Sequence, residues 1–152
     1  MYRILRGPQD ALAKWVLTKS GGFFTPGIAT AIVLAGKDGQ PAAGMAFTDC
    51  NGRSVCAHVV IEDPQQTLPL FTLAGAYVFE QLGCSRLTLI AEESNIRAVR
   101  LHEKLGAVRE GRLVGAGRSG DDILVSRLTP DSRIWRKLSE RRHRKPQKVT
   151  NG

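Results

Sequence analysis

The chain lacks most of what membrane, secreted and metal-stapled proteins are built from. Its 152 residues hold no apolar run approaching the length of a membrane span. The opening "MYRILRGPQDALAKW" has no apolar stretch followed by a cleavage site, so no secretory signal is read there, and a cytoplasmic setting is the expectation. Cys50, Cys56 and Cys84 are odd in number and form no Cys-x-x-Cys pair, which argues against a disulfide framework and a zinc site. Cys50 and Cys56 could face each other across a hairpin, but two small apolar side chains in a reducing compartment is the simpler reading.

Acid is scarce at one end. From 133 to 152 there are eight bases (Arg133, Arg136, Lys137, Arg141, Arg142, Arg144, Lys145, Lys148) against Glu140 alone, which is +7 of the chain's +8. The first 132 residues are nearly neutral. Such a segment suits an anionic partner, nucleic acid or an acidic protein surface, or is simply a solvated terminus. With no aromatic beyond Trp135, it is a poor stacking platform for single-stranded nucleic acid.

What is present is a regular alternation of elements. "YRIL" reads as a short strand, and "PQDALAKWVLTKSGG" as a helix with a Gly-Gly stop. "IATAIVLAG", "AAGMAFTDC" and "SVCAHVVIE" read as a three-strand antiparallel meander, turned at Asp-Gly and Asn-Gly. "TLPLFTLAGAYVFEQLG" follows as a buried helix, with Thr67 as N-cap and Pro69 in its first turn. "SRLTLIAE" is a strand. "SNIRAVRLHEKLG" is a capped helix with Ile96, Val99, Leu101 and Leu105 facing inward and Gly106 as its stop. "AVREGRLV" and "DDILVSRL" form a last hairpin, and Thr129-Pro130 opens a basic helix. The helical crossover makes "SVCAHVVIE" and "RLTLI" parallel neighbours in an otherwise antiparallel sheet. The fold class is α+β with a mixed sheet.

This order, with Asn95, Ala98, Leu101, Lys104, Leu105 and Gly106 in register, resembles the GNAT superfamily of acetyl-CoA-dependent N-acetyltransferases. "WVLTKSGGFFTPGIATAIVLAGKDG", "AGMAF" and "YVFEQLGCSRLT" resemble the GNAT-like proteins of tailed bacteriophages. The resemblance implies a GNAT-like domain over 1–132 and a basic helical extension over 133–152. It implies acetyl-CoA along Val60 and Ile61, at the helix start formed by Gln66, Thr67 and Leu68, and beside Asn95. Asn95 needs no ligand to explain it, since an N-cap satisfies a free helix N–H.

Two departures from the family pattern bear on activity. Its glycine-rich pyrophosphate loop, in which backbone N–H groups cradle the anion, is replaced here by "EDPQQTLPLFTLAG", with no glycine before Gly75. Pro64 and Pro69 lack donors, and Glu62 and Asp63 add negative charge. His102 stands where the family places a tyrosine acid; it is either an acid or an exposed surface residue. Glu62 is either the base or a solvent-facing strand end, and His58, on the same strand face, reads as a half-buried histidine. Gly115, Gly117 and Gly120 lie between two strands, which suits a hairpin better than a phosphate loop.

Three functions are compatible with these residues. The first is a non-catalytic structural or binding module, docking on virion proteins or on its own copies through Arg133, Trp135, Arg136, Lys137, Arg141, Arg142, Arg144 and Lys145. The second is an active acetyl-CoA N-acetyltransferase using Glu62 and His102. The third is a nucleic-acid-associated accessory protein. The missing glycine loop favours the first, placed in a host cytoplasm or a virion.

Overall fold

The computed structural model describes residues 2–144. In chain order it comprises β1 (Arg3–Ile4), α1 (Gln9–Ser20), β2 (Thr30–Ala35), β3 (Pro41–Thr48) and β4 (Ser54–Ile61). A 3-10 turn, Pro64–Gln66, leads into α2 (Thr67–Gly75), which continues as a π-helical segment, Ala76–Gln81. Then come β5 (Arg86–Glu92), α3 (Ile96–Lys104), β6 (Val108–Leu113), β7 (Ile123–Leu128) and α4 (Arg133–Arg144). The seven strands form one sheet in the order β1-β2-β3-β4-β5-β7-β6, with β4 and β5 parallel and the other pairs antiparallel. Side-chain turns set the meander: Asp38 Oδ1 accepts from the Gln40 N–H, and Asn51 Oδ1 from Arg53 and Ser54.

Alternation along the strands sends side chains to two separate cores. On one face Ala13, Val16 and Leu17 of α1 pack on Ala31, Val33 and Ala46, with Val60 alongside. On the other, Leu34, Met45, Phe47, Val55, Ala57, Leu87 and Leu89 meet α2, α3 and α4. Each fully buried leucine or valine there contributes roughly 1.5–3 kcal/mol. The α1 cluster holds no residue of β5, β6 or β7, so that half of its face carries no helix-packed core.

Three local readings are corrected by packing. Thr67 does not cap α2; it is already helical, and the chain enters through the 3-10 turn, which Asp63 caps by accepting from the Gln65 N–H. Ile96 is not inward-facing but 57% exposed, because it lies at the first turn of α3, beyond the sheet it was expected to cover. Trp135 is not a surface anchor: it is 8% exposed, its ring lies over Phe79 at 5.7 Å, and Leu138 joins it in the core. A Cβ on Gly75 would come within 2.3 Å of that indole, so the glycine inside α2 is the gap into which Trp135 fits. The first half of α4 is thereby packed against α2.

The three cysteines are free, with Cys50 exposed and Cys84 buried. Among the described residues no helix is long and apolar enough to cross a membrane, and no cluster has the ligands for a metal ion.

Candidate functional site

β4 and β5 pair only from Ser54↔Arg86 to Ala57↔Leu89. Beyond that point β4 stays with β3 as far as Ile61, and β5 stays with β7 as far as Glu92. The parallel pair therefore splays, and the sheet opens between two strands that each keep their other neighbour. The Glu62 N–H donates to the Ala42 carbonyl on the β3 side at 2.8 Å. Backbone groups alternate along a strand, so Val59 and Ile61 turn theirs toward the opening.

A cleft of about 530 Å³ lies along the end of β4 that has left β5, between that strand and α3. Lys19, Ser20, Val60 and Glu62 line it on the α1 face; Val59, Ile61, Pro64 and Thr67 line it on the other, with one side of α3. That side of α3 is basic. Arg97, Arg100 and Lys104 follow at three- and four-residue steps, which puts them on one helix face, and all three line the cleft. Arg97 Nη2 also donates to the Ile61 carbonyl at 3.3 Å, joining the helix to the free strand edge. Glu62 is the carboxylate of the lining, and Lys19 Nζ already pairs with it at 2.8 Å. The lining thus carries a net positive charge suited to an anion.

The start of α2 contributes little to that. The Thr67 N–H is bonded to the Pro64 carbonyl, and Pro69 has no N–H, so few backbone donors remain free. Of the residues expected to contact a coenzyme, Val60, Ile61, Thr67 and Asn95 line the cleft. Leu68 does not and is half exposed. Gln66 is 7% exposed with Oε1 unpartnered, and it is not among the lining residues. Asn95 caps α3, accepting from the Ala98 N–H at 3.2 Å, and also lines the cleft, so its two readings coexist.

The two expected catalytic residues are not brought together. Glu62 stands in the cleft. His102 lies on the far side of α3, 5% exposed, beside Leu124 and Ser126 of β7 in a separate hollow of about 150 Å³. Its expected exposed setting is thus corrected. Burial pushes its pKa down to about 4, so it is neutral near pH 7. The Arg97, Arg100, Lys104 spacing in "IRAVRLHEK" is legible in the sequence as a helical stripe, a signal weaker than a glycine motif because basic residues are common on solvated helix faces.

The glycine-rich segment is the hairpin its flanking strands implied, tied to the β5–α3 corner. Glu92 Oε1 accepts from the Ser119 N–H at 3.1 Å, Arg112 bridges Glu93 and Asp122, and Asp121 Oδ2 accepts from the Ser94 N–H at 2.7 Å. Hydrogen bonds from Ser94 hold the Asp121 carboxyl below the usual range. On α4, Arg133, Arg136, Lys137, Arg141, Arg142 and Arg144 are exposed, with Arg142 paired to Glu80; Lys145 lies outside the described residues.

No protein-family model matches the chain, and no curated protein matches it in sequence. Solved structures do match in shape. A spermidine N-acetyltransferase from Vibrio cholerae in complex with CoA and spermine is 22% identical, with 70% of this chain and 68% of that one covered at a TM-score of 0.57. A mutant form of the spermidine N-acetyltransferase from the same organism is 16% identical over 93% and 97%, at a TM-score of 0.66. The mixed sheet with its single splayed parallel pair, flanked by helices on both faces, is the GNAT acetyltransferase fold.

Proposed function

We propose that the protein is an N-acyltransferase that takes acetyl-CoA as donor, with the phosphates held by the basic face of α3. The single observation that carries this is the splay after Ala57↔Leu89, opening a cleft whose one wall is Arg97, Arg100 and Lys104. Guanidinium groups bind phosphate oxygens bidentately and without help from backbone donors. On this reading the α3 bases supply the charge that a glycine loop would otherwise supply through its backbone. The open edge at Val59 and Ile61 would pair with the amides of the pantetheine arm, as a missing strand would. Acetyl-CoA supplies an activated acyl group as a thioester; the chain supplies position and charge.

A non-catalytic docking module draws its support from the missing glycine loop. The α3 bases offset that loss and reverse the preference. The acceptor is not a polyamine on this reading: the one carboxylate of the lining is already neutralised by Lys19, and the remaining bases would repel a polycation.

Calorimetry with acetyl-CoA and with acetyl-pantetheine, which lacks the nucleotide phosphates, tests the proposal. Saturable binding of acetyl-CoA that weakens with added salt, and far weaker binding of acetyl-pantetheine, is expected. Equal affinity for the two, or none for either, would refute it.

A further inference from the structure

We propose that the outward face of α4 is a docking surface for the phosphate backbone of duplex DNA, separate from the cleft between β4 and α3. This goes beyond the acyltransferase reading and does not depend on it. Arg133, Lys137, Arg141 and Arg144 follow one another at steps of four, four and three residues. They therefore form one stripe, about 16 Å long at helical rise. Arg136 flanks the stripe and Glu140 is the one acid on it; all six side chains are exposed.

The helix is fixed from behind. Trp135 and Leu138 are buried in the core against α2, where Gly75 leaves room for the indole. Further along, Arg142 and His143 pair with Glu80 of the π-helical segment, and Ser139 Oγ donates to the same carboxylate at 3.3 Å. This clamp turns the stripe toward solvent. It also holds the charges in place before a partner arrives, which lowers the ordering cost of binding.

Two observations separate this face from an ordinary solvated one. Around the sheet, bases are balanced locally: Lys19 pairs with Glu62, Arg86 and Arg127 with Glu110, Arg109 with Glu103, and Arg112 with Glu93 and Asp122. On the stripe, Arg144 alone reaches an acid, Glu140 at 3.8 Å, and Arg133, Lys137 and Arg141 form no ion pair among the described residues. The second observation is that no large apolar side chain is exposed on α4. A protein partner would add an apolar core to such charges, whereas a phosphate backbone needs cations alone. With the α4 indole buried, no ring is left to stack on unpaired bases, which disfavours a single strand. B-form DNA fits better than duplex RNA, because its major groove admits a protruding helix and that of A-form RNA is too narrow. Contacts to the backbone alone make the binding independent of sequence.

Fluorescence anisotropy of a labelled DNA duplex of about 20 base pairs, titrated with the full chain at about 50 to 200 mM salt, tests the assignment. Expected for the wild type is sequence-independent binding whose log affinity falls with log salt at a slope of about −3.6, four phosphates being neutralised. The triple variant Arg133→Gln/Lys137→Gln/Arg141→Gln is expected to lower that slope by about 2.7 and to weaken binding more than about 10-fold, with an unchanged unfolding midpoint. Arg97→Ala/Arg100→Ala is expected to leave DNA binding as it is. Absent wild-type binding would overturn the proposal, as would a slope that the triple variant retains or a loss confined to the cleft variant. Tighter binding to polyglutamate or to duplex RNA than to duplex DNA would overturn it as well. Acetyl-CoA calorimetry on the triple variant, expected to match the wild type, keeps this outcome apart from that of the acyltransferase reading.

Discussion

The two walls of the cleft beyond β4 are built for different purposes. The start of α2 is poor in donors and rich in packing: Leu70, Phe71 and Ala74 are buried, and Gly75 receives the Trp135 ring. The facing side of α3 buries little and presents Arg97, Arg100 and Lys104. The start of α2 serves as a structural member, and the proposed recognition of an anion rests on the side chains across the cleft.

If that division holds, damage to the two walls has different consequences. Trp135→Ala is expected to have the largest effect, about 3–5 kcal/mol of stability, because it leaves an indole-sized cavity against α2 and Phe79. Urea unfolding measures this. A loss under 1 kcal/mol would show that α4 is peripheral to the α2 wall.

The buried side of α3 is the next place to probe. His102 titrates at about 4 when folded against an ordinary 6.5, so between those values the unfolded chain binds a proton that the folded one does not. Stability therefore falls as pH drops from 6.5 toward 4, by about 3 kcal/mol from this group. In His102→Gln that part of the slope vanishes, and comparison of unfolding midpoints at pH 7 and 4.5 checks it. Identical slopes in both proteins would mean that the ring is solvated.

The smallest effect is expected at Gln66. Its Oε1 is buried without a partner, so Gln66→Met removes a desolvation cost and should raise stability by up to about 1 kcal/mol, leaving acetyl-CoA affinity unchanged. A fall in affinity would instead make the α2 wall a ligand contact and blur the contrast.

Much of this architecture was legible because it is written in short-range pattern. The meander followed from period-two strands around Asp38-Gly39 and Asn51-Gly52, and the parallel β4–β5 pair from the helical crossover between them. The placing of β7 between β5 and β6 was not read, since β6 and β7 form a hairpin whichever of them pairs with β5. Nor was the burial of His102: the hydrophobic period of α3 marks Leu101 and Leu105, and only the approach of Leu124 and Ser126 closes over the histidine. Charged neighbours in sequence make Trp135 read as a surface anchor, whereas the cavity that receives it is created by Gly75, sixty residues earlier. The cleft itself depends on where two strands stop pairing, a tertiary event with no local signature.

The contrast between the walls is tested most directly by titrating acetyl-CoA into wild type and the Arg97→Ala/Arg100→Ala double variant under matched low salt. Loss of each guanidinium–phosphate contact is expected to weaken binding about 10-fold, so the pair together about 100-fold, with unfolding midpoints unchanged. Saturable wild-type binding that the double variant retains at full strength would contradict recognition by the α3 face.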